Sequence, residues 1–396
     1  MTRALPNATN YPARWREDLV AIFRSPALAV WCFFLLTTPI YLFDSGLPQP
    51  GDLLVFLLVP FSLLAWNGRL ERAGGRAVRS LLTLTLWVCA VNVAWAAVLS
   101  KWELQEFLIF PFFYVFNAAV FVCALILARP NPERFLRITV AVVSVTILYQ
   151  VISTFLIGGS SRGQAFFNNP NQLGFYAVMA ACLLAMAQRP LNMGRLIPAL
   201  GVTGCAYLAM LSASRSAVAG ILVLLFLMLF SNPRTILVAS LAAAGLVNLG
   251  GPVSDAIDES RKRAFEDRHP DRTFVEERGI DRMSEHPEYL VLGAGEGDVT
   301  RFRKHAWGAG EIHNSYGSLV FCYGVVGFAL FLMFLIRVVR GAPLRMTLML
   351  VPVGVYMIAH NGMRSTTLWV LFALFMLLKK LDPIAGAPVQ GTATKR

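Results

Sequence analysis

The chain has 396 residues, 56% of them hydrophobic and only 15% charged. That balance excludes a soluble globular protein and points to a chain threaded repeatedly through a bilayer. Lys and Arg outnumber Asp and Glu by 35 to 23, a formal net charge of +12; the cations recur in alternate loops, so topology and anionic lipid account for the excess without a nucleic-acid partner.

Residues 1–26 are polar and lack an apolar core followed by a small-residue cleavage site, so no cleavable signal peptide is expected. Trp15, Leu19, Ile22 and Phe23, interleaved with Arg14, Arg16 and Arg24, predict an interfacial helix in a cytoplasmic N-terminal segment. Nine apolar runs follow over residues 27–249, centred near Phe34, Leu58, Cys89, Val115, Ser144, Met179, Ala206, Leu224 and Ala242. Three more, centred near Phe328, Pro352 and Leu371, occupy residues 313–378 and lead into a tail, 379–396. Each run is long enough to cross a bilayer as a helix, and lipid offers its backbone no other partners. The predicted fold is therefore an all-α polytopic membrane protein of about twelve transmembrane helices.

Orientation follows from the cations. Alternate loops hold 21 of the 35 Lys and Arg residues, among them Arg72, Arg76, Arg134, Arg137, Arg189, Arg337, Arg345 and Lys380. These loops are read as cytoplasmic, with both termini inside. The opposite short loops carry only Lys101, Arg162, Arg215 and Arg364. Those arginines have no topological reason to be there, which is the first pointer to an anionic ligand at the outer face. All six cysteines lie in apolar runs, which predicts a packing role and no disulfide framework.

Residues 250–312 form one long outer loop with fourteen acids and ten bases. Ser254-Asp255-Ala256-Ile257-Asp258-Glu259 predicts a capped helix start, with acids in its first turn. Glu276 to Ser284 predicts a second helix, stopped by His286-Pro287, and Gly293-Ala294-Gly295-Glu296-Gly297 a tight turn able to approach a ligand closely. A loop of this length with its own helices fits a lid or binding element better than a connector.

Candidate site residues cluster around this loop. Arg162 precedes the turn Asn169-Pro170-Asn171, with Asn171 expected to cap the next helix. Arg215 stands in Ser212-Ala213-Ser214-Arg215-Ser216, a stretch of helix formers with no acid close in sequence. An ionisable residue at membrane depth is a functional candidate by default. His313, followed by Asn314, Ser315 and Tyr316, opens a membrane helix that runs on through Gly324 and Gly327, where a neighbouring helix is expected to pack closely. Arg272 and Arg278 lie on the loop, and Arg364 stands beside His360-Asn361-Gly362. Guanidinium groups match phosphate oxygens, and a histidine among them can serve as a proton acceptor. The loop contains no Asp-x-Asp pair and the chain no Gly-x-x-x-x-Gly-Lys-Ser/Thr, so neither a divalent metal nor a nucleotide or other cofactor is expected.

Together these motifs resemble the O-antigen ligase/polymerase superfamily of bacterial envelope glycosyltransferases. His313-Asn314, nine residues, then Gly324-x-x-Gly327 is similar to the ligase pattern, and Ser214-Arg215-Ser216 to the superfamily's Ser-Arg-Ser. Arg162 with Asn169-Pro170-Asn171 resembles its Arg…Gly-Thr-Phe-x-Asn-Pro-Asn motif, with Ala165 and Phe166 standing where Gly and Thr are usual. Arg272, fifteen residues before Pro287, resembles the family's loop arginine. Glu276 replaces the aromatic usual four residues after it, so both Arg272 and Arg278 stand as candidates. The resemblance covers residues 150–330.

It implies an inner-membrane ligase that moves O-antigen from undecaprenyl diphosphate to a sugar of the lipid A core, with its active site facing the periplasm. His313 would activate the acceptor hydroxyl. Arg215 and a loop arginine would bind and stabilise the diphosphate and Arg162 would help to position it; beside what the resemblance implies, Asn314 and Arg364 are candidate substrate contacts from their place in the sequence. A single inverting displacement is the simplest mechanism, since no carboxylate nucleophile is evident. The rivals are the chain-growing polymerase and, from another class, a transporter or flippase of lipid-linked sugar. A transporter needs a polar path at the midplane, whereas here the ionisable residues gather at one face.

Overall fold

A computed structural model describes residues 11–382 apart from 44–47, 67, 69, 104–106, 158–162, 249–251, 266–272 and 303–310; side chains at 11–14 and 263–265 are also outside it. The described residues form helices joined by turns, with no strand among them. In chain order the helices are α1 (Tyr11–Arg24), α2 (Pro26–Thr37), α3 (Pro50–Leu64), α4 (Arg72–Val98), α5 (Ile109–Leu127), α6 (Pro132–Ile157), α7 (Pro170–Ala187), α8 (Leu196–Leu211), α9 (Arg215–Ser231), α10 (Pro233–Asn248), α11 (Pro252–Phe265), α12 (Phe274–Glu277), α13 (Arg282–Glu285), α14 (Ser315–Val339), α15 (Leu344–Leu348), α16 (Val351–Ala359) and α17 (Thr366–Leu381).

Every one of the twelve centres read from hydropathy falls inside a helix. Five helices, α4, α5, α6, α7 and α14, are long and apolar enough to cross a bilayer alone, and seven spans result if two bent pairs, α1 with α2 and α10 with α11, each count as one. The apolar α3, α8 and α9 are shorter, as is the stretch covering α15 and α16. Helix α7 is the central post, with every residue from Leu173 to Ala187 buried. Its Gly174 lets the α8–α9 turn come close, since a Cβ there would lie 2.8 Å from both Ser212 Oγ and the Ala217 Cβ.

The amphipathic α1 meets α2 at 106°. It leaves Trp15, Leu19 and Phe23 exposed while its buried Asp18 accepts from Arg137 at 2.9 and 3.0 Å. Several cations assigned to one side by sequence meet at one end of the bundle. Arg337 donates to the Arg76 carbonyl, Lys380 pairs with Glu71, and Arg345 donates to both Asp382 oxygens at 2.7 Å. Lys379 and Lys380 belong to α17 and not to a tail beginning at residue 379. Lys379 is buried and donates to the carbonyls of Val338 and Arg340, so it caps the end of α14.

At the opposite end, the predicted helix over 276–284 is two single turns, α12 and α13. Gly279 at φ +65° terminates the first in the left-handed conformation that glycine adopts freely. Helix α14 is also interrupted. Gly324 has φ +69° and ψ 177°, and the loop segment 290–295 docks into the gap. Three carbonyls that a continuous helix would satisfy internally find other donors. Ala294 N–H reaches Phe321 O at 2.8 Å, Gly295 N–H reaches Cys322 O at 2.9 Å, and the Trp87 indole reaches Tyr323 O at 2.8 Å. Val325 N–H donates in turn to Leu290 O at 2.8 Å. Non-helical backbone at this depth is tolerable only when so satisfied. Gly324 therefore admits the 290–295 segment and not a neighbouring helix as expected, because a Cβ there would overlap the Val291 carbonyl. The close helix approach belongs to Gly327, which faces Trp87 of α4.

Candidate functional site

The α8–α9 connection is a sharp turn. Ala213 takes φ +46°, Ser214 is extended, and Arg215 becomes the first residue of α9, exposed at the helix start and not embedded at mid-span. The two flanking serines bond to each other, Oγ to Oγ, at 3.1 Å. Across from it, Asn169 caps α7 by accepting from Asn171 N–H at 2.8 Å. The expected cap, Asn171, is instead the second residue of the helix, because Pro170 has no N–H and starts it. Ala165 has φ +47°, a backbone conformation that favours glycine, the residue usual at this place in the motif. Arg162 itself, like Arg272, lies outside the described residues.

His313 immediately precedes α14, whose cap is Asn314. The Asn314 amide is committed at both ends: Oδ1 accepts from Gly317 N–H at 2.7 Å and Nδ2 donates to Ile358 O at 2.5 Å. Ser315 bridges to the end of α16, donating to His360 O and accepting from Gly362 N–H, each at 2.8 Å. This clamp fixes the stretch that carries Arg364. On the loop side, His313 N–H donates to Arg278 O at 2.9 Å, tying the histidine to the segment between α12 and α13. The half-buried Arg278 lies over the Phe274 ring at 5.7 Å, and its Nε is buried without a hydrogen bond. Burial lowers the Arg278 pKa; Glu277 opposes the shift and the nearby Arg215 guanidinium adds to it. Arg215 and Arg278 therefore stand close enough to repel each other.

Burial likewise lowers the pKa of His313 from 6.5. Glu311 opposes this, and the guanidinium groups of Arg278, Arg364 and Arg282 reinforce it. The imidazole is therefore neutral at pH 7 and able to accept a proton.

Sequence reading missed three members of this cluster. Glu296 is 4% exposed and accepts from Tyr323 OH at 2.6 Å and from Arg364 Nε at 2.8 Å. Glu311 lies 3.2 Å from Arg364 Nη2. Arg282 is 2% exposed, with its guanidinium 5.7 Å from the Phe302 ring. Glu296 had one signal, a lone carboxylate among glycines, since Asn92 of α4 holds that turn by bonding both its carbonyl and its N–H. Arg282 had none. Arg364 is consequently a paired cation. Burial disfavours its charge, but Glu296 and Glu311 outweigh that and hold its pKa above the ordinary arginine value.

The structure thus brings His313, Arg215, Arg278 and Arg364 to one end of the bundle and gives Asn314 a structural task. No protein-family model matches the chain, and no curated protein matches it.

Proposed function

We propose that this chain is a membrane glycosyltransferase of the O-antigen ligase kind, with about twelve spans, its loop and site in the periplasm and both termini in the cytoplasm. The observation that carries the reading is a neutral, half-buried histidine joined through its backbone to one arginine, Arg278, within the field of two more, Arg282 and Arg364, with Arg215 beside Arg278. Cations gathered around a proton acceptor suit a lipid diphosphate donor, whose leaving group gains charge as the reaction proceeds.

Arg215 and Arg278 bind the diphosphate in this proposal. Arg278 serves as the loop arginine in place of Arg272, which, like Arg162, lies outside the described residues. Each charge-assisted hydrogen bond contributes about 1.5–3 kcal/mol, and more when it strengthens as charge develops on the leaving pyrophosphate. His313 takes the proton of an acceptor sugar hydroxyl. The acceptor oxygen forms a bond to the anomeric carbon of the donor as the bond from that carbon to the diphosphate oxygen breaks, its electron pair leaving with the undecaprenyl diphosphate. Attack from the opposite face inverts the anomeric centre. Arg364, held by two carboxylates, and Asn314, held by the helix cap, position the site instead of gripping substrate. The left-handed Ala165 and the glycine break at Gly324 support the motif reading, since both motifs place glycine at those positions.

The test is reconstitution of the purified chain with undecaprenyl-diphosphate-linked glycan and rough lipopolysaccharide, with and without chelator. Glycan joined to the lipid A core in both supports the proposal. Longer lipid-linked chains would instead mean a polymerase, and donor moved between leaflets without transfer a flippase.

A further inference from the structure

A cavity of about 400 Å³ lies at the end of the bundle opposite His313, between the last turn of α9 and α15. Leu227, Phe230, Leu348 and Met349 form its apolar wall, and Arg189 and Arg345 stand at its polar side. Its size is that of an ordinary small-ligand site.

Both arginines are held in place by the protein. Arg189 donates through Nε to Asn232 Oδ1 at 3.1 Å and through Nη2 to the Ser231 carbonyl, so it also answers the end of α9. Arg345 donates through Nη2 to Asp382, and its Nη1 makes no hydrogen bond. Among the described residues the cavity lining holds these two guanidinium groups and no carboxylate, and Asp382, which pairs with Arg345, is already engaged. Side chains held this way lose little freedom on gripping a further anion.

The wall decides what kind of anion. Phe230 is 73% exposed, and Leu227 on the same helix is half-buried. In a membrane-embedded bundle, exposed apolar side chains face acyl chains, so the cavity opens toward lipid as well as toward its cations. A soluble anion would use only the arginines. An amphiphile uses both surfaces, as basic pockets between membrane helices do with anionic headgroups.

We propose that this cavity holds one anionic phospholipid, its phosphate at Arg189 and Arg345 and its acyl chains along Phe230 and Leu227. The inference rests on the membrane-embedded fold and not on the transferase reading. The bound lipid would brace α9 against α15, and α9 begins at Arg215.

The test uses the full chain purified in detergent, with phosphatidylglycerol, phosphatidylcholine or inorganic phosphate added separately. Native mass spectrometry counts what is retained, and the thermal unfolding midpoint reports stabilisation. One phosphatidylglycerol should be retained after other lipid is stripped, with a raised midpoint, and neither phosphatidylcholine nor phosphate should reproduce this. Arg189→Gln should weaken retention about tenfold, the equivalent of one charge-assisted bond. Leu227→Trp, which fills the cavity and keeps its charges, should abolish retention. Equal retention of phosphatidylcholine would overturn the proposal, as would an equal shift from phosphate. So would wild-type retention in both variants, and the comparison of lipids on the unmodified chain needs neither variant to fold.

Discussion

His313 is partly buried within the fields of Glu311, Arg278, Arg364 and Arg282, and burial first, then those charges, set the pH at which it gains a proton. Burial and the arginines depress its pKa below 6.5, whereas Glu311 raises it. A base is active when unprotonated, so the transfer rate of the proposed enzyme should be flat near pH 7–8 and fall as the pH drops through the depressed value. Glu311→Gln removes the one opposing charge and should move that acid limb to still lower pH, read from initial rates across pH; an upward shift would contradict the assignment. Arg215 is legible because a cation in a sparsely charged short loop has few reasons to be there, and His313 because it opens an apolar run at the end of the one long polar segment. The sequence could not show that Arg364 is matched by Glu296 and Glu311, since the three lie far apart in the chain and meet only through folding. Nor could it show that Asn314 is fully used as a helix cap and clamp.

Helix α14 shows what periodicity hides at the scale of an element. Its apolar run reads as one continuous span, and the spacing of Gly324 and Gly327 reads as a site of close packing. The packing is real, but at Gly324 the partner is a loop segment that enters a broken helix. Glycine signals only that something must come near or turn sharply; which of the two depends on tertiary contacts. Gly324→Ala would place a Cβ on the Val291 carbonyl in a left-handed conformation, at a cost of at least about 1–3 kcal/mol. A lowered thermal midpoint and faster protease cleavage within 286–300 should follow. Gly245→Ala, where a Cβ meets nothing within 4 Å, should leave both unchanged or slightly improved. Equal effects of the two would mean that the loop does not depend on the break. The same limit applies to α12 and α13, where an amphipathic run reads as one helix and Gly279 divides it.

For the molecule as a whole, each of the twelve centres read from hydropathy falls within a helix, but only five of those helices are long and apolar enough to cross a bilayer alone, and the others are shorter or bent elements. A bundle that buries its central post can include helices too short to be recognised alone. The sidedness of the charges is testable directly. Glu288 is exposed at the His313 end and Arg72 at the other. Glu288→Cys should react with a membrane-impermeant thiol reagent added outside spheroplasts, and Arg72→Cys only after permeabilisation, the reverse pattern inverting the topology. The central claim is that His313 performs the proton transfer at a site whose arginines hold the donor. Single-turnover transfer to rough lipopolysaccharide, at saturating lipid-linked donor, tests it most directly. His313→Ala should retain donor affinity and transfer about 10²–10⁴-fold more slowly than the unmodified chain. Transfer by His313→Ala at the unmodified rate would contradict it.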